Sequence, residues 1–219
     1  MTTTRDVLHS LPGATSTYKF AEHVRRKRAA RATLKELKSS GRELWLDIGG
    51  GDRHGTGGWI TVDLVTGCDL YWDLRDGLPF ANDSVARVYS SHLFEHLEFR
   101  EGQALMAECL RALRPGGSFS ICVPNAGIYI KSYADGCPLP DDYFGWRSAY
   151  HATTPIDAVN YIAYMDGHHK YMFDKENLVR RLELAGFADV HLREFDPSID
   201  MAERDYESIY AEGVKPAQT

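Results

Sequence analysis

From residue 43 onward, short apolar runs alternate with stretches that carry apolar residues on one helical face. ELWLDI (43–48), WITVDL (59–64), DLYWDL (69–74), VARVYSSH (85–92) and SFSICVP (118–124) are mostly apolar and bounded by turn residues. Such runs mark buried strands of a parallel sheet. Between the last two, residues 101–114 repeat Leu105, Cys109 and Leu113 every four positions, with Met106 and Leu110 beside them. That spacing predicts a helix, ended by the breakers of RPGG (114–117). PIDAVNYIAYM (155–165) predicts a helix opened by proline. DKENLVRRLELAG (174–186) predicts another, with Asp174 as N-cap, Leu178, Leu182 and Ala185 inward and Gly186 at its end. FADVHLREF (187–195) and ESIYAEGVKP (207–216) read as two last strands, whereas 125–170 is aromatic and loop-like. Strands alternating with helices place the chain in the α/β class with a mostly parallel sheet.

Length and charge narrow the picture. The 219 residues suit one domain with an elaborated insert. No run of about 18 apolar residues exists, so no membrane span is expected. The N-terminus lacks a charged-then-apolar leader, which reads as cytoplasmic. The four cysteines are scattered without C-x-x-C, and are expected reduced and mostly buried rather than arranged in a zinc ribbon or disulfide framework. The net charge of −6 is uneven: residues 1–42 carry ten Lys and Arg against three Asp and Glu, the remainder 15 against 28. The basic peak, EHVRRKRAARATLKELK (22–38), predicts a helix. It reads either as a solvated face packed by Phe20, Val24, Leu34 and Leu37 or as a dock for an anionic partner. The acidic body argues against a wide nucleic-acid surface.

Candidate chemistry gathers at predicted strand ends, where open α/β sheets bind ligands. Asp47-Ile48-Gly49-Gly50-Gly51-Asp52 follows the first strand. Glycines let backbone turn sharply and approach a ligand closely. Counting from Gly49, the sixth position is His54, so the dinucleotide pattern fails, and no G-K-[ST] follows for a P-loop. Asp63 ends the second strand, where a carboxylate can accept from both ribose hydroxyls. Asp73 ends the third and could accept from an adenine amino group. Taken singly, each aspartate reads equally as a cap or turn residue.

LDIGGGDRHGTGGWITVDL, WDLRDGLPFANDSVARVYSSHLFEHL, LRALRPGGSFSICVPN and HHKYMFDKENLVRRLELAGF together resemble the class I S-adenosylmethionine-dependent methyltransferases, notably small ones with a shortened first crossover. The resemblance spans about residues 43–215. It implies a doubly wound, mostly parallel seven-stranded Rossmann-like sheet with helices on both faces and an aromatic lid at about 125–170. Residues 1–42 would be a basic helical extension and 43–219 a single domain. It further implies S-adenosyl-L-methionine as cofactor, with Asp47, Gly49, Gly50 and Gly51 at its methionine part, Asp63 and Leu64 at the ribose, Asp73 and Leu74 at the adenine, and Ser91 and His92 facing cofactor and acceptor. One departure is plain: residues 51–58 are too few for a helical crossover, which needs a dozen or more. A tight irregular loop is expected there.

SSHLFEHLEF (90–99) also contains H-x-x-E-H, the inverted zinc-hydrolase motif. That chemistry needs His92 and His96 on one continuous helix, yet the residues before His92 are strand-like. Some methyltransferases carry E-x-x-E-H here and bind a divalent metal. His92, Glu95 and His96 with one later histidine therefore form an alternative, metal-assisted site. Methyl transfer to a hydroxyl calls for a base, and histidine titrates near neutrality. The candidates are His92, His168, His169 and His151. Acceptor choice is expected in 125–170, where Tyr129, Tyr133, Tyr143, Phe144, Trp146 and Tyr150 either line a pocket or pack the lid, and Lys131, Arg147 and Lys170 could meet an anionic group. The expected partner is a small-molecule acceptor, methylated at oxygen or nitrogen, with a homodimer compatible. A non-catalytic module that keeps only the fold is the rival reading.

Overall fold

The computed structural model describes residues 14–140, 143 and 153–217, with backbone alone for 14–23. The basic segment is one helix, α1 (Ala14–Ser39), lying against the β3 edge. Ala30 and Leu37 are buried in the core and Leu34 packs against it, so its apolar residues do attach it to the body. The remaining elements are β1 (Trp45–Ile48), β2 (Trp59–Asp63), β3 (Leu70–Tyr71), β4 (Val85–Ser91), α2 (Phe99–Ala112), β5 (Leu113–Pro124), α3 (Ala126–Ala134), α4 (Pro155–Tyr164), α5 (Lys175–Ala185), β6 (Ala188–Arg193) and β7 (Ser208–Val214). Their sheet order is β3-β2-β1-β4-β5-β7-β6. The first five strands are parallel, while β7 runs antiparallel between β5 and β6. Among the described residues, no helix is long and apolar enough to cross a membrane.

Three local expectations need correction. The third strand covers only Leu70–Tyr71, because Asp73 caps a 3-10 turn, Leu74–Asp76, by accepting from the Arg75 N–H. RPGG ends α2 as read but belongs to β5: Val85 pairs with Leu113 and Arg87 with Ser118, so the four residues bulge out between. The start of the aromatic segment is a helix, α3, capped by the Asn125 side chain on the Gly127 N–H. Its short length and mixed faces hid it. The α5 boundaries, with Asp174 as N-cap and left-handed Gly186 at the end, match the reading.

Period-two alternation gives the sheet two unlike faces. Leu46, Ile48, Ile60, Val62, Val88, Phe119 and Ile121 share one face and form the core with Leu105, Met106 and Cys109 of α2 and Leu178 and Leu182 of α5. The opposite face carries Trp45, Asp47, Trp59, Thr61, Arg87, Tyr89 and Ser120. Here Trp45 and Trp59 pack at 5.8 Å, and the Arg87 guanidinium stacks over Trp45 at 4.7 Å.

The connection between β6 and β7 folds back over this polar face. Asp200, buried, accepts from Arg193 Nη2 at 2.8 Å, from the Tyr89 hydroxyl at 2.9 Å and from the Asp196 N–H at 2.7 Å. Arg193 also donates from Nε to Ser120 Oγ at 2.8 Å. These bonds pin the segment that then delivers Arg204 and Glu207 to the far end of the sheet.

Removing one partner of a buried ion pair leaves the other charge uncompensated. Asp200→Ala is therefore expected to destabilise the fold by about 3–5 kcal/mol, read as a lower urea midpoint with an unchanged slope. A second test concerns α4. Asp157 accepts from the backbone N–H of Thr153 and Thr154 and from both hydroxyls. The Thr153 hydroxyl and these backbone bonds hold the carboxyl down at about 2, from an ordinary 3.8. A depressed carboxyl stabilises the fold above its unfolded value, and this is lost as pH falls through the folded value. Asp157→Asn should lower the thermal midpoint at pH 7, and the gap to wild type should shrink between pH 4 and pH 2.

Candidate functional site

The site lies at the carboxyl ends of β1, β2, β4 and β5 and has two parts. The first is the glycine loop. β1 ends at Ile48 and the chain turns through Gly49 (φ +74°), whose N–H donates to the Val62 carbonyl at 2.9 Å. A β-carbon on Gly49 would stand 2.8 Å from Leu93 Cβ, so only glycine fits between β1 and the turn after β4. The Gly51 N–H donates to Asp63 Oδ2 at 2.9 Å, and the Leu64 N–H to Asp63 Oδ1. Each of these oxygens keeps a further lone pair.

The short crossover, 51–58, contains no helix. Asp69 knits it together, accepting at Oδ2 from the Gly55 and Thr61 N–H groups at 2.8 and 3.0 Å while Oδ1 meets His54 Nδ1 at 2.8 Å. Asp69 was not singled out from the sequence; a lone aspartate before a two-residue strand carries no local signal. Asp47 is buried and pairs with Arg53 Nη2 at 3.0 Å. Burial raises its carboxyl above the usual range although Arg53 opposes this. Asp73 forms an ion pair with Arg75 at 2.8 Å besides capping its turn. Leu74 is buried, and Ser91 is buried with no hydrogen-bond partner for its hydroxyl among the described residues.

The second part is a cavity of about 330 Å³ beyond the ends of β4 and β5. His92 leaves β4 with a left-handed backbone (φ +51°) and its N–H on the Cys122 carbonyl. A non-glycine residue in that region is uncommon, though histidine tolerates it better than most. Residues Phe94–His96 form a single 3-10 turn. His92 and His96 therefore do not share a helix, and the arrangement of an inverted zinc hydrolase is not formed. The turn aims Glu95 inward, where both its carboxylate oxygens are buried without a hydrogen bond among the described residues. Burial pushes the Glu95 carboxyl up to about 8. The Glu95 carbonyl accepts from the N–H groups of Lys170 and Tyr171 at 2.7 and 3.2 Å, which fastens the turn to the segment before α5.

That segment supplies His169, buried, with Nδ1–H donating to the Ile162 carbonyl at 2.8 Å. His96 donates from Nδ1 to the His168 carbonyl at 3.1 Å, and its ring packs edge-on to His169 at 5.1 Å. The structure thus brings His92, Glu95, His96 and His169 into one cavity, while the His168 side chain is exposed and only its carbonyl takes part. Burial pushes His92 down to about 3, with Arg204 adding to the effect, and also lowers His96 and His169.

Arg204 and Glu207 complete the cavity and were missed from sequence, because they arrive on the β6–β7 connection from a distant part of the chain. Of the aromatic candidates, Tyr129 is buried and donates to Glu207, packing against Tyr143 and Tyr161. Tyr133 is exposed, and Lys131 is exposed and pairs with Asp135. Tyr129 and Tyr143 therefore pack within the lid, and Tyr161, Ile162 and Met165 of α4 and its end line the cavity. Phe144, Arg147, Trp146, Tyr150 and His151 lie outside the described residues.

Residues 46–121 match the sequence profile of the methyltransferase domain family. No curated protein sequence matches the chain. Among solved structures, a SAM-dependent methyltransferase from Archaeoglobus fulgidus is 16% identical with a TM-score of 0.50, over 91% of this chain and 99% of that one. A possible histamine N-methyltransferase from Thermotoga maritima is 15% identical with a TM-score of 0.47, over 92% and 95%. Phosphoethanolamine N-methyltransferase 2 of Haemonchus contortus, solved with S-adenosyl-L-methionine, is 16% identical with a TM-score of 0.47, over 85% of this chain. The chain spans about half the length of that protein, 53%. The profile match lies across β1 to β5, about a third of the chain, and the seven-stranded α/β sheet is the fold shared with the Archaeoglobus fulgidus methyltransferase.

Proposed function

We propose that the chain transfers the methyl group of S-adenosylmethionine to an oxygen of a small-molecule acceptor seated in the histidine-lined cavity, with nitrogen the alternative atom. The carrying observation is adjacency: Leu93, the neighbour of His92, packs directly on Gly49. A cofactor held along Gly49–Gly51 and Asp63 would therefore present its sulfonium toward the cavity. Methyl transfer is an in-line displacement, and much of its rate comes from holding acceptor, carbon and sulfur in line. The acceptor O–H gives its proton to a pocket histidine, the new O–CH3 bond forms, and the S–CH3 bond breaks to leave S-adenosylhomocysteine.

Among the histidines, His92 is the weaker base, since its Nε2 is engaged with Ser208 Oγ at 2.9 Å and burial disfavours its charged form. Its role in this reading is to shape the acceptor seat. His169 and His96 keep Nε2 for the proton. Arg204 favours an acceptor with an anionic group. The domain proper begins near residue 43, and α1 is a basic extension clamped to the β3 edge.

A ligand that binds only the folded protein raises its thermal midpoint. S-adenosylhomocysteine is expected to do so, and NAD is not. Gly49→Ala should weaken S-adenosylhomocysteine binding at least ten-fold by calorimetry, because the new methyl displaces Leu93. No shift in wild type would overturn this reading and favour a module that keeps only the fold.

A further inference from the structure

We propose that Glu95, His96 and His169 bind a divalent transition-metal ion in the histidine cavity. The argument starts from proton positions. A backbone carbonyl can only accept, so the contacts of His96 Nδ1 to the His168 carbonyl and His169 Nδ1 to the Ile162 carbonyl fix both nitrogens as donors. In the neutral rings, Nε2 of each then carries a lone pair. His92 follows the same logic through one more step. The Ser208 hydroxyl donates to the Arg204 carbonyl at 2.6 Å, so its oxygen must accept from His92 Nε2–H, which leaves the lone pair on Nδ1. That Nδ1 stands 3.6 Å from Glu95 Oε1, and His96 Nε2 stands 3.8 Å from the same oxygen.

The result is a buried carboxylate faced by ring nitrogens that offer electron pairs and no hydrogens. Neither Glu95 oxygen has a hydrogen-bond donor among the described residues. Burying Glu95 ionised without a donor is costly, and a cation at the centre of these lone pairs would take the place of its proton. One ligand atom from each of Glu95, His96 and His169 already lies within 4.8 Å of the others. Bonds of about 2.0–2.2 Å to one ion require these atoms to close in by roughly 1 Å, which side-chain rotation supplies.

The supports are those expected of a metal site. Each ligand histidine donates its other nitrogen to a backbone carbonyl, which sets ring orientation and tautomer. The Glu95 turn is fastened to the His169 segment through Lys170 and Tyr171, so the two ligands keep their separation. Two imidazoles and a carboxylate suit zinc, iron, manganese or cobalt rather than calcium or magnesium. Three protein ligands leave coordination positions open toward the cavity. On the methyltransferase reading, an acceptor oxygen would occupy one of them and become more acidic, and with Nε2 of His96 and His169 on the ion its proton would pass to solvent instead of to those rings. Arg204 lines the same cavity, and Glu207 offsets its charge.

The test uses untagged full-length protein, stripped with chelator and dialysed, then titrated with Zn²⁺ by calorimetry and loaded with Co²⁺ for its visible spectrum. About one Zn²⁺ per chain and a Co²⁺ absorption band are expected. His169→Ala and Glu95→Gln should each weaken Zn²⁺ binding at least ten-fold, with folding checked by circular dichroism. His191→Ala, on the exposed part of β6, should leave it unchanged. Glu95→Gln should still bind S-adenosylhomocysteine, so failure of the metal site and failure of the cofactor reading are told apart. Absence of saturable Zn²⁺ binding by the wild type would overturn the proposal. So would equal affinity in both cavity variants.

Discussion

Ten residues, 49–58, carry the chain from the end of β1 to the start of β2, and they leave no room for a helix. Much of the molecule answers to this constraint. A helix in that crossover would lie on the sheet and demand an apolar face beneath it. Instead Asp69 draws the loop tight, and the strands present Thr61, Arg87, Tyr89 and Ser120 where an apolar surface would otherwise stand. The covering comes from the other end of the chain. The β6–β7 connection crosses the same face and is held there by Asp200, whose bonds to Arg193 and Tyr89 replace hydrophobic packing with a buried, satisfied polar network.

The same connection finishes the cavity. Having crossed the face, it places Arg204 and Glu207 opposite His92 and Glu95. The glycine loop and the histidine cavity thus depend on one another through different parts of the sheet. Gly49 must lack a side chain so that Leu93 can sit against it, and Leu93 stands beside the left-handed His92 that starts the turn aiming Glu95 inward. Positive φ at a histidine and an unpartnered buried carboxylate three residues later are both costs to the fold. Both fall in one cavity, where neither is relieved by apolar packing.

The fold was legible where periodicity was strong. β1, β2, β4 and the end of β5 follow from apolar runs bounded by turn residues, and the helix from Lys175 to Ala185 from its period and caps. The glycine loop was readable for a similar reason, since a local run of three glycines at a strand end has few purposes. The acceptor side was harder. His92, Glu95 and His96 stood out as a motif, but His169 joins them only through the backbone bonds of Lys170 and Tyr171 to Glu95, a pairing no local pattern encodes. Glu207 and Arg204 were invisible, because nothing in AERDYESIYAEG (202–213) tells which residues will face a cavity at the end of β4. Aromatic richness in 125–170 left a pocket wall and a packed lid both open; Tyr129 packs against Tyr143 and Tyr161, and Tyr161 also lines the cavity. Aromatic composition reports apolar area, not which side of it faces a ligand.

The position of β7 bears on how the molecule is made. This strand follows β6 in the chain yet lies between β5 and β6, pairing with β5 from Ser118 to Pro124 and with β6 along its other edge. During synthesis, β5 and β6 have no neighbour to join them until β7 has left the ribosome. Through that interval the apolar edge of β5 is unpaired, the kind of edge that invites association with other chains. Because Glu207 and Ser208 arrive with β7, the histidine cavity lacks that wall until β7 has taken its place between β5 and β6.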